Sequence, residues 1–503
     1  MKMVKSLLLG SAAGLVAVAG AQAADLPVKA KPVQYVKICT LYGDGFYYIP
    51  GTDTCIKFSG YVRADYGWNT RNNGTEVANS GSAGTQDRGS PTFSTRHRAR
   101  FEVDTRTQTG YGTLRNYESM NFENSTYGGA AFALSRAFIQ WAGFTFGHAQ
   151  SLSDTWDLDD AWRYISQENS GSTGANGVNQ IAYTWEVGNG MALTVGADEA
   201  ARKTVTNLSS ATALKIGSAM TNSFAAEKWP DPFVSFNVNQ AWGRWSTAVR
   251  AHDVSATYYS APGIGPFVVN PACVGGQPGT TQCGHPDDKI GWGAATGAEF
   301  KMDWITPGDK FGASVHYSVG HTKFVYGRMT GTGLFDTGNQ VGFGEVSDGV
   351  FVNGSQIELT TSWTVQAGYE HAWTPSLKTD FTAAYGEISY NNTAASWFNT
   401  QMGGVCTPLV ADGATKSTNL SAGAVNACDP NFQYFQGGMR TQWDVTKSFF
   451  LGVDVAYNKP FTSYQGAGAI LAPGAQSGFR PTGVYNVKDV GQLSVAFRAL
   501  SAF

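Results

Sequence analysis

The stretch Trp292–Trp304, WGAATGAEFKMDW, is the clearest guide to the fold. Every second residue from its first tryptophan is apolar, aromatic or small, whereas all three charged residues lie on the other face. A period of two residues is typical of a β-strand with one apolar and one polar face. Aromatic residues stand at both ends of the apolar face, as in strands that cross a bilayer. The same alternation recurs over 56–68 and 449–457, which predicts a protein built from long, two-faced strands.

The composition favours many strands and turns over helices. Of 503 residues, 15% are charged, 13% are aromatic and 61 are glycine, and the formal net charge is −3. The charged fraction is well below the usual quarter. Because there is no basic excess, we expect no nucleic-acid binding. No run of apolar residues after residue 23 is long enough for a membrane-spanning helix.

The N-terminus has the pattern of a secretory signal peptide. Lys2 and Lys5 precede a short apolar core, and Ala21–Ala23 is a small-x-small cleavage site. We therefore predict a signal peptide over 1–23, followed by a periplasmic N-terminal lead-in over 24–55.

Alternation alone does not separate a soluble sandwich from a membrane barrel. Three further features favour the barrel. Charges avoid the apolar faces, where each would cost about 2–4 kcal/mol in lipid. Ten residues, tilted by about 45°, span about 23 Å, close to a hydrocarbon layer. The connections between successive strands alternate between short and long.

We place strands near 56–68, 92–106, 109–118, 133–142, 143–148, 180–188, 190–198, 231–240, 243–254, 290–304, 309–321, 358–373, 377–390, 432–444, 448–460 and 486–503.

These strands predict an all-β fold over 56–503. It is a 16-stranded antiparallel transmembrane β-barrel with short periplasmic turns and long extracellular loops. Barrels of this size leave an aqueous channel. The third long loop of this count spans about 149–179.

Six cysteines follow the signal peptide, which suits an oxidising compartment. They allow 15 pairings, of which short loop closure favours the three sequential pairs. A metal site at Cys283, His285 and Asp287 is a weaker interpretation, and we predict no metal and no cofactor. The predicted disulfide cysteines are Cys39, Cys55, Cys273, Cys283, Cys406 and Cys428.

The start of the mature chain resembles the alphaproteobacterial porin family. The resemblance rests on Pro32–Cys39, Tyr42–Cys55 and Ile56–Arg63, and on Phe144–Ser151 before the long third loop. His148 stands where that family often has arginine. The resemblance implies a passive diffusion channel, usually trimeric, with its third loop in the lumen.

A basic wall and an acidic loop form the predicted constriction of the pore. The arginines of the second strand face away from Phe101 and Val103, and therefore towards the lumen. The alternatives that remain open are a nucleic-acid or lipopolysaccharide patch for the arginines, and a solvated surface loop or a helix N-terminal capping patch for the aspartates. The basic wall is Arg63, Arg96, Arg98, Arg100 and Arg115, and the acidic cluster is Asp154, Asp157, Asp159 and Asp160.

The expected partners follow from this interpretation. They are outer-membrane lipid and lipopolysaccharide, small hydrophilic solutes, two further copies in a homotrimer, and the barrel-assembly machinery through Phe503. The sequence lacks the hydrolase, metalloprotease and phosphate-loop motifs, so we expect no enzyme. A gated or solute-specific channel, an adhesin barrel that only displays loops, and a soluble carbohydrate-binding protein are the alternatives.

Overall fold

The chain divides into two compact units, Met1–Lys57 and Phe58–Phe503. The predicted signal peptide lies outside the described residues. The computed structural model describes residues 37–71, 76–77, 92–126, 128–156, 158, 162–167, 169–174, 177–199, 204–209, 222–259, 284–327, 332–335, 338–401, 429–465, 468–471 and 483–503.

A disulfide between Cys39 and Cys55 holds the first unit, with their Cα atoms 6.1 Å apart. Both cysteines are buried together with Phe46. The short strand Tyr47–Tyr48 pairs antiparallel with residues 55–56, and a 3₁₀ turn spans Thr40–Tyr42. This bond is the first of the three predicted pairs; the other four cysteines lie outside the described residues.

Sixteen antiparallel strands form one closed sheet, because the first strand pairs with both the second and the last. In the closing pair, residues 61–68 lie opposite residues 495–502. This arrangement confirms the predicted barrel. The strands are β1 Cys55–Trp68, β2 Phe93–Thr109, β3 Gly112–Ser125, β4 Gly129–Trp141, β5 Phe144–Ala149, β6 Val178–Gly188, β7 Met191–Asp198, β8 Asp231–Gln240, β9 Gly243–Val254, β10 Lys289–Lys301, β11 Lys310–Val319, β12 Thr361–Thr374, β13 Leu377–Ser389, β14 Phe432–Asp444, β15 Phe449–Phe461 and β16 Gln492–Ala502.

The barrel wall is apolar outside and polar inside. Phe58, Val62 and Trp68 of β1 are each more than half exposed, whereas Asp65 of the same strand is 0% exposed. A soluble sandwich would bury the aromatic face instead. The exposed apolar belt is the surface that lipid covers in a membrane barrel.

Turns at one end of the barrel are short and connections at the other are mostly long. Asn189 and Gly190 form one of the short turns, with φ of 52° and 69°. Two successive positive φ values suit the Asn-Gly hairpin turn. The long-loop end carries L1 69–92, L2 126–128, L3 150–177, L4 199–230, L5 255–288, L6 320–360, L7 390–431 and L8 462–491.

Three local predictions were wrong. The expected long connection over 119–132 is a three-residue link, because β3 and β4 continue to Ser125 and from Gly129. The expected turn at 107–108 is strand, since pairing continues to Thr109. Residues 302–304 belong to a turn and not to β10.

The loops have structure of their own, which the sequence interpretation omitted. The described part of L7 contains a helix, α1, Asn392–Gln401. Within the described ranges, no helix has the length and hydropathy to cross a membrane. A three-stranded and a four-stranded sheet also form in the loops. Their strands are Val205–Asn207, Gly349–Phe351 and Glu358–Leu359, and Thr332–Phe335, Gln340–Gly344, Gly468–Leu471 and Gly483–Val487.

Candidate functional site

The first half of L3 lies against the inner wall of β8 and β9. The hydroxyl of Ser235 donates a hydrogen bond to the carbonyl oxygen of Leu152 at 2.6 Å. The amide of Trp156 donates to Oγ of Ser246, also at 2.6 Å. The predicted acidic loop therefore enters the barrel.

The second half of L3 is fixed to β15 by a buried carboxylate. Asp454 accepts hydrogen bonds from the amides of Tyr164 at 2.6 Å and Ile165 at 2.9 Å. It also forms a 2.8 Å ion pair with Arg163, and these two side chains are 0% and 1% exposed. Such a pair holds a chain segment firmly, because separating the charges would leave one of them buried and unpaired.

Two more contacts carry L3 along β14 towards the loop end. Gln436 donates from Nε2 to the carbonyl of Ser166 at 2.8 Å, and Asn169 donates to the carbonyl of Tyr434 at 3.0 Å. L3 begins after β5, touches β8 and β9, and then reaches β14 and β15. It therefore crosses the interior of the barrel.

A cavity of about 590 Å³ is lined by L3 and by residues of β1, β2, β4, β8, β9 and β16. Arginines dominate its surface, and Asp154 is its one acidic residue among the described part of the chain. The arginines are Arg63, Arg98, Arg100, Arg136, Arg244 and Arg498.

Carboxylates hold several of these arginines in place from outside the cavity lining. Asp65 lies 2.9 Å from Nε of Arg63 and 2.6 Å from Nε of Arg498. Glu123 lies 2.7 Å from Nη2 of Arg98. Neither carboxylate lines the cavity, so the guanidinium groups present the positive charge to the lumen.

Asp154 bonds to L3 itself as well as lining the cavity. Its Oδ2 accepts from the amide of Thr173 at 2.8 Å and from the hydroxyl of Thr173 at 2.7 Å. Burial raises the pKa of Asp154, while the bonds from Thr173 oppose that rise. Asp154 thus joins the two ends of L3 where they face the arginines.

The comparisons with known proteins agree with this architecture. The sequence profile of the porin subfamily matches residues 25–479. The chain belongs to the porin subfamily. The barrel, apolar outside and polar inside, is that of an outer-membrane protein.

The porin is 35% identical over 210 residues to porin Omp2b of Brucella suis, covering 39% of this chain and 52% of that protein. It is 34% identical over 223 residues to porin Omp2a of Brucella ovis, covering 39% and 59%. The chain thus spans little more than half the length of these relatives. The outer membrane channel DcaP of Acinetobacter baumannii shares the fold, with a TM-score of 0.55 and 16% identity over 91% of this chain and 99% of that one.

The structure brings Arg63, Arg98, Arg100 and Asp154 to one cavity. Arg96 does not line it and pairs with Glu123 at 2.8 Å. Asp157, Asp159 and Asp160 lie outside the described residues.

Arg115 lies elsewhere in the barrel. It stands opposite Arg106 in the β2–β3 register and pairs with Asp104 at 2.9 Å. Arg106 is eight residues from Arg98, which is about 26 Å along a strand. Arg115 is therefore near the short-turn end, far from the cavity.

Phe503 closes the last strand onto the first. Its amide donates to the carbonyl of Gly60 at 3.0 Å, and the amide of Gly60 donates back at 3.1 Å. Its ring contacts Phe101 with centroids 6.0 Å apart.

Sequence reasoning missed the glycines beneath L3. A Cβ at Gly312 would overlap the ring of Trp156, and one at Gly452 would overlap Tyr164. The signal was present in the sequence, since both glycines stand on polar, inward-facing positions of their strands. These glycines give the aromatic rings of L3 room against the wall.

Replacing Gly312 with Val should displace Trp156 and loosen the first half of L3. Overpacking of this kind costs about 1–3 kcal/mol. We expect a changed single-channel conductance in planar bilayers and a lower melting temperature. Ala313→Val adds bulk to the same strand on its outward face, and should leave both unchanged. If Gly312→Val and Ala313→Val have the same conductance and the same melting temperature, the position of the Trp156 ring does not depend on Gly312.

Proposed function

We propose that this porin forms a water-filled channel for passive diffusion of small hydrophilic solutes and ions. The cavity of about 590 Å³ between L3 and the arginines carries this proposal. A barrel of sixteen strands is wide enough for an aqueous lumen. L3 narrows that lumen, so solutes are selected by size and by the local electric field.

The arginines set the field in the narrow section. Six guanidinium groups and one described carboxylate line the cavity, whereas the carboxylates that pair with five of these arginines do not line it, so the charge nearest a solute is positive and favours anions. A strong local electric field stabilises polar solutes in the narrow section. Apolar solutes must displace ordered water there and form no compensating electrostatic interaction. This chemistry supports a channel for hydrophilic molecules.

Replacing both Arg100 and Arg244 with Gln in one double variant should shift the selectivity of the channel towards cations. A unit charge about 7 Å from an ion in water contributes roughly 0.6 kcal/mol, or about a threefold change in permeability. We therefore expect the cation-to-anion permeability ratio to rise several-fold at low salt, measured from reversal potentials in a salt gradient. The shift should shrink at high ionic strength because salt screens the charges.

Lys447→Gln is the matched control, because Lys447 is exposed in the short turn between β14 and β15. It should leave the reversal potential unchanged. Reversing Asp157 and Asp159 to Lys should move selectivity in the opposite direction. If neither pair of variants alters selectivity or conductance, the charged constriction is wrong.

A gated channel is the second candidate, and the packing of the loops favours it. Residues of L4, L6, L7 and L8 bury a shared apolar core at the long-loop end, including Leu208, Val350, Trp397 and Tyr464. Loops packed in this way can close a mouth as one body. Saturable, blockable conductance would support this candidate, and absence of conductance would favour an adhesin barrel.

The other predictions about maturation and assembly follow from the same proposal. Cleavage after Ala23 is tested by sequencing the mature N-terminus. The homotrimer is tested by the molar mass of the detergent complex. Contact with lipid and lipopolysaccharide follows from the exposed apolar belt, and recognition of Phe503 by the assembly machinery is tested by deleting that residue.

A further inference from the structure

Four buried side chains from three parts of the chain meet at the long-loop end of the barrel. Asp231 begins β8, His252 lies near the end of β9, and His321 and Asp348 belong to L6. Each is 0% or 1% exposed. Their spacing in the sequence gives no sign of this cluster, because only the folded strands and L6 bring them together.

Asp231 and the two histidines are close enough to share one ion. Nδ1 of His252 lies 2.9 Å from both carboxylate oxygens of Asp231, and Nε2 of His321 lies 3.7 Å from its Oδ2. One ligand atom from each of the three lies within 4.8 Å of the others. Asp348 is nearby, with its Oδ2 3.8 Å from Nε2 of His252.

The histidines also have nitrogen atoms that the protein leaves unsatisfied. Nε2 of His252 and Nδ1 of His321 are buried and have no hydrogen-bond partner among the described residues. These are not the nitrogens nearest Asp231, so each ring carries a second nitrogen without a hydrogen-bond partner in the described part of the chain, whereas buried polar atoms normally have one.

We propose that Asp231, His252 and His321 bind a divalent transition-metal ion of the zinc class. Imidazole and carboxylate donors suit Zn²⁺, which is commonly four-coordinate. Asp348 is placed to be a fourth ligand, since Thr322 and Thr204 already orient its carboxylate through three hydrogen bonds.

The fit requires small movements. Tetrahedral zinc holds its donor atoms about 3.3 Å apart. The distances between the ligand atoms of Asp231, His252 and His321 range from 2.9 Å to at most 4.8 Å, so they include this value. The rings of His252 and His321 stack with centroids 4.1 Å apart at 12°, so at least one ring turns to direct its lone pair at the ion. The ion takes the place of the proton between His252 and Asp231, which is released. Metal binding thereby clamps L6 to the rim of β8 and β9.

The experiment uses the full chain, refolded in detergent without lipopolysaccharide, whose phosphates would also bind cations. After treatment with EDTA, Zn²⁺ alone is titrated by calorimetry and counted by elemental analysis. We expect one Zn²⁺ per chain, and at least tenfold weaker binding in His252→Gln and His321→Gln. His371→Gln is the control, because His371 pairs with Asp309 at 3.1 Å near the short-turn end.

Co²⁺ provides a second readout on the unmodified protein, which does not depend on whether the variants fold. Four-coordinate Co²⁺ bound by imidazole absorbs strongly in the visible range, and six-coordinate Co²⁺ only weakly. Strong visible bands at one equivalent support the site. The proposal is overturned by weak bands only, by no stoichiometric Zn²⁺ uptake, or by uptake that persists when both histidines are replaced.

Discussion

Replacing Asp454 with Ala is expected to release the second half of L3 from the barrel wall and to widen the channel. The variant removes two hydrogen bonds from the L3 backbone and leaves Arg163 buried without its ion-pair partner. Breaking a buried pair in this way costs about 3–5 kcal/mol. The loop can avoid that cost by leaving the wall, which brings Arg163 into water.

Two measurements follow from this release. Single-channel conductance should rise by about twofold or more, since L3 no longer narrows the lumen. Trypsin should cut after Arg163, a site that is buried in the native protein and detectable by mass spectrometry.

Asp489→Ala is the matched control for Asp454→Ala. Asp489 also pairs with a cation, Lys459 at 3.5 Å, and accepts a backbone hydrogen bond from Thr462, and both of these partners lie outside L3. It should leave conductance and the tryptic pattern unchanged. A folded Asp454→Ala barrel with native conductance and no new cleavage would show that L3 does not form the constriction.

Alternation along the strands predicted most of the wall and part of the site. It assigned Arg63, Arg98 and Arg100 to the lumen, and all three line the cavity. The reason is that a β-strand has only two faces, and lipid tolerates few charges on one of them. Counting every second residue along a strand therefore suffices to assign its two faces wherever the strand pairing is regular.

The same count fails where the pairing is irregular, as β4 shows. Phe132 and Leu134 face outward and are 59% and 49% exposed, so strict alternation would also place Arg136 outside. The register shifts at Ser135, which has no partner between Leu134 and Arg136. This bulge turns Arg136 to the lumen, and bulges have no dependable sequence signal.

Long-range contacts were the other limit of the sequence interpretation. The alternation pattern placed Asp454 on the polar face of its strand but could not show that it binds Arg163, 291 residues away. The apolar residues of the loops have no period of their own, so their shared core was also not predicted. Contacts of this kind depend on the closed barrel, which brings distant loops together.

A buried glutamate makes this loop core sensitive to pH. Glu345 of L6 is 9% exposed and lies beside the apolar core, where Tyr390 donates a hydrogen bond to its carbonyl oxygen. Its carboxylate accepts one long bond, 3.3 Å from the hydroxyl of Thr206. Burial raises the pKa of Glu345 to about 8 from an ordinary value of 4.5.

The raised pKa fixes the direction of the pH effect. A proton binds Glu345 more tightly when the loops are packed than when they are open. The stabilisation from this proton is therefore complete below pH 4.5, and it is lost as pH rises to about 8. The full difference corresponds to about 5 kcal/mol, since one pKa unit equals about 1.36 kcal/mol.

Hydrogen exchange of peptides from 340–352 and 390–398 should therefore quicken between pH 5 and pH 8 beyond the intrinsic chemical rate. Glu345→Gln is neutral at every pH, so its loops should stay protected throughout and match the native protein at pH 5. Glu358→Gln makes the same change at a partly exposed residue of L6 and should keep the native pH dependence. The two variants each remove one carboxylate from L6, and they differ in whether that carboxylate is buried. If the native protein and both variants show the same dependence of hydrogen exchange on pH, Glu345 is ionised and solvated within the packed loops.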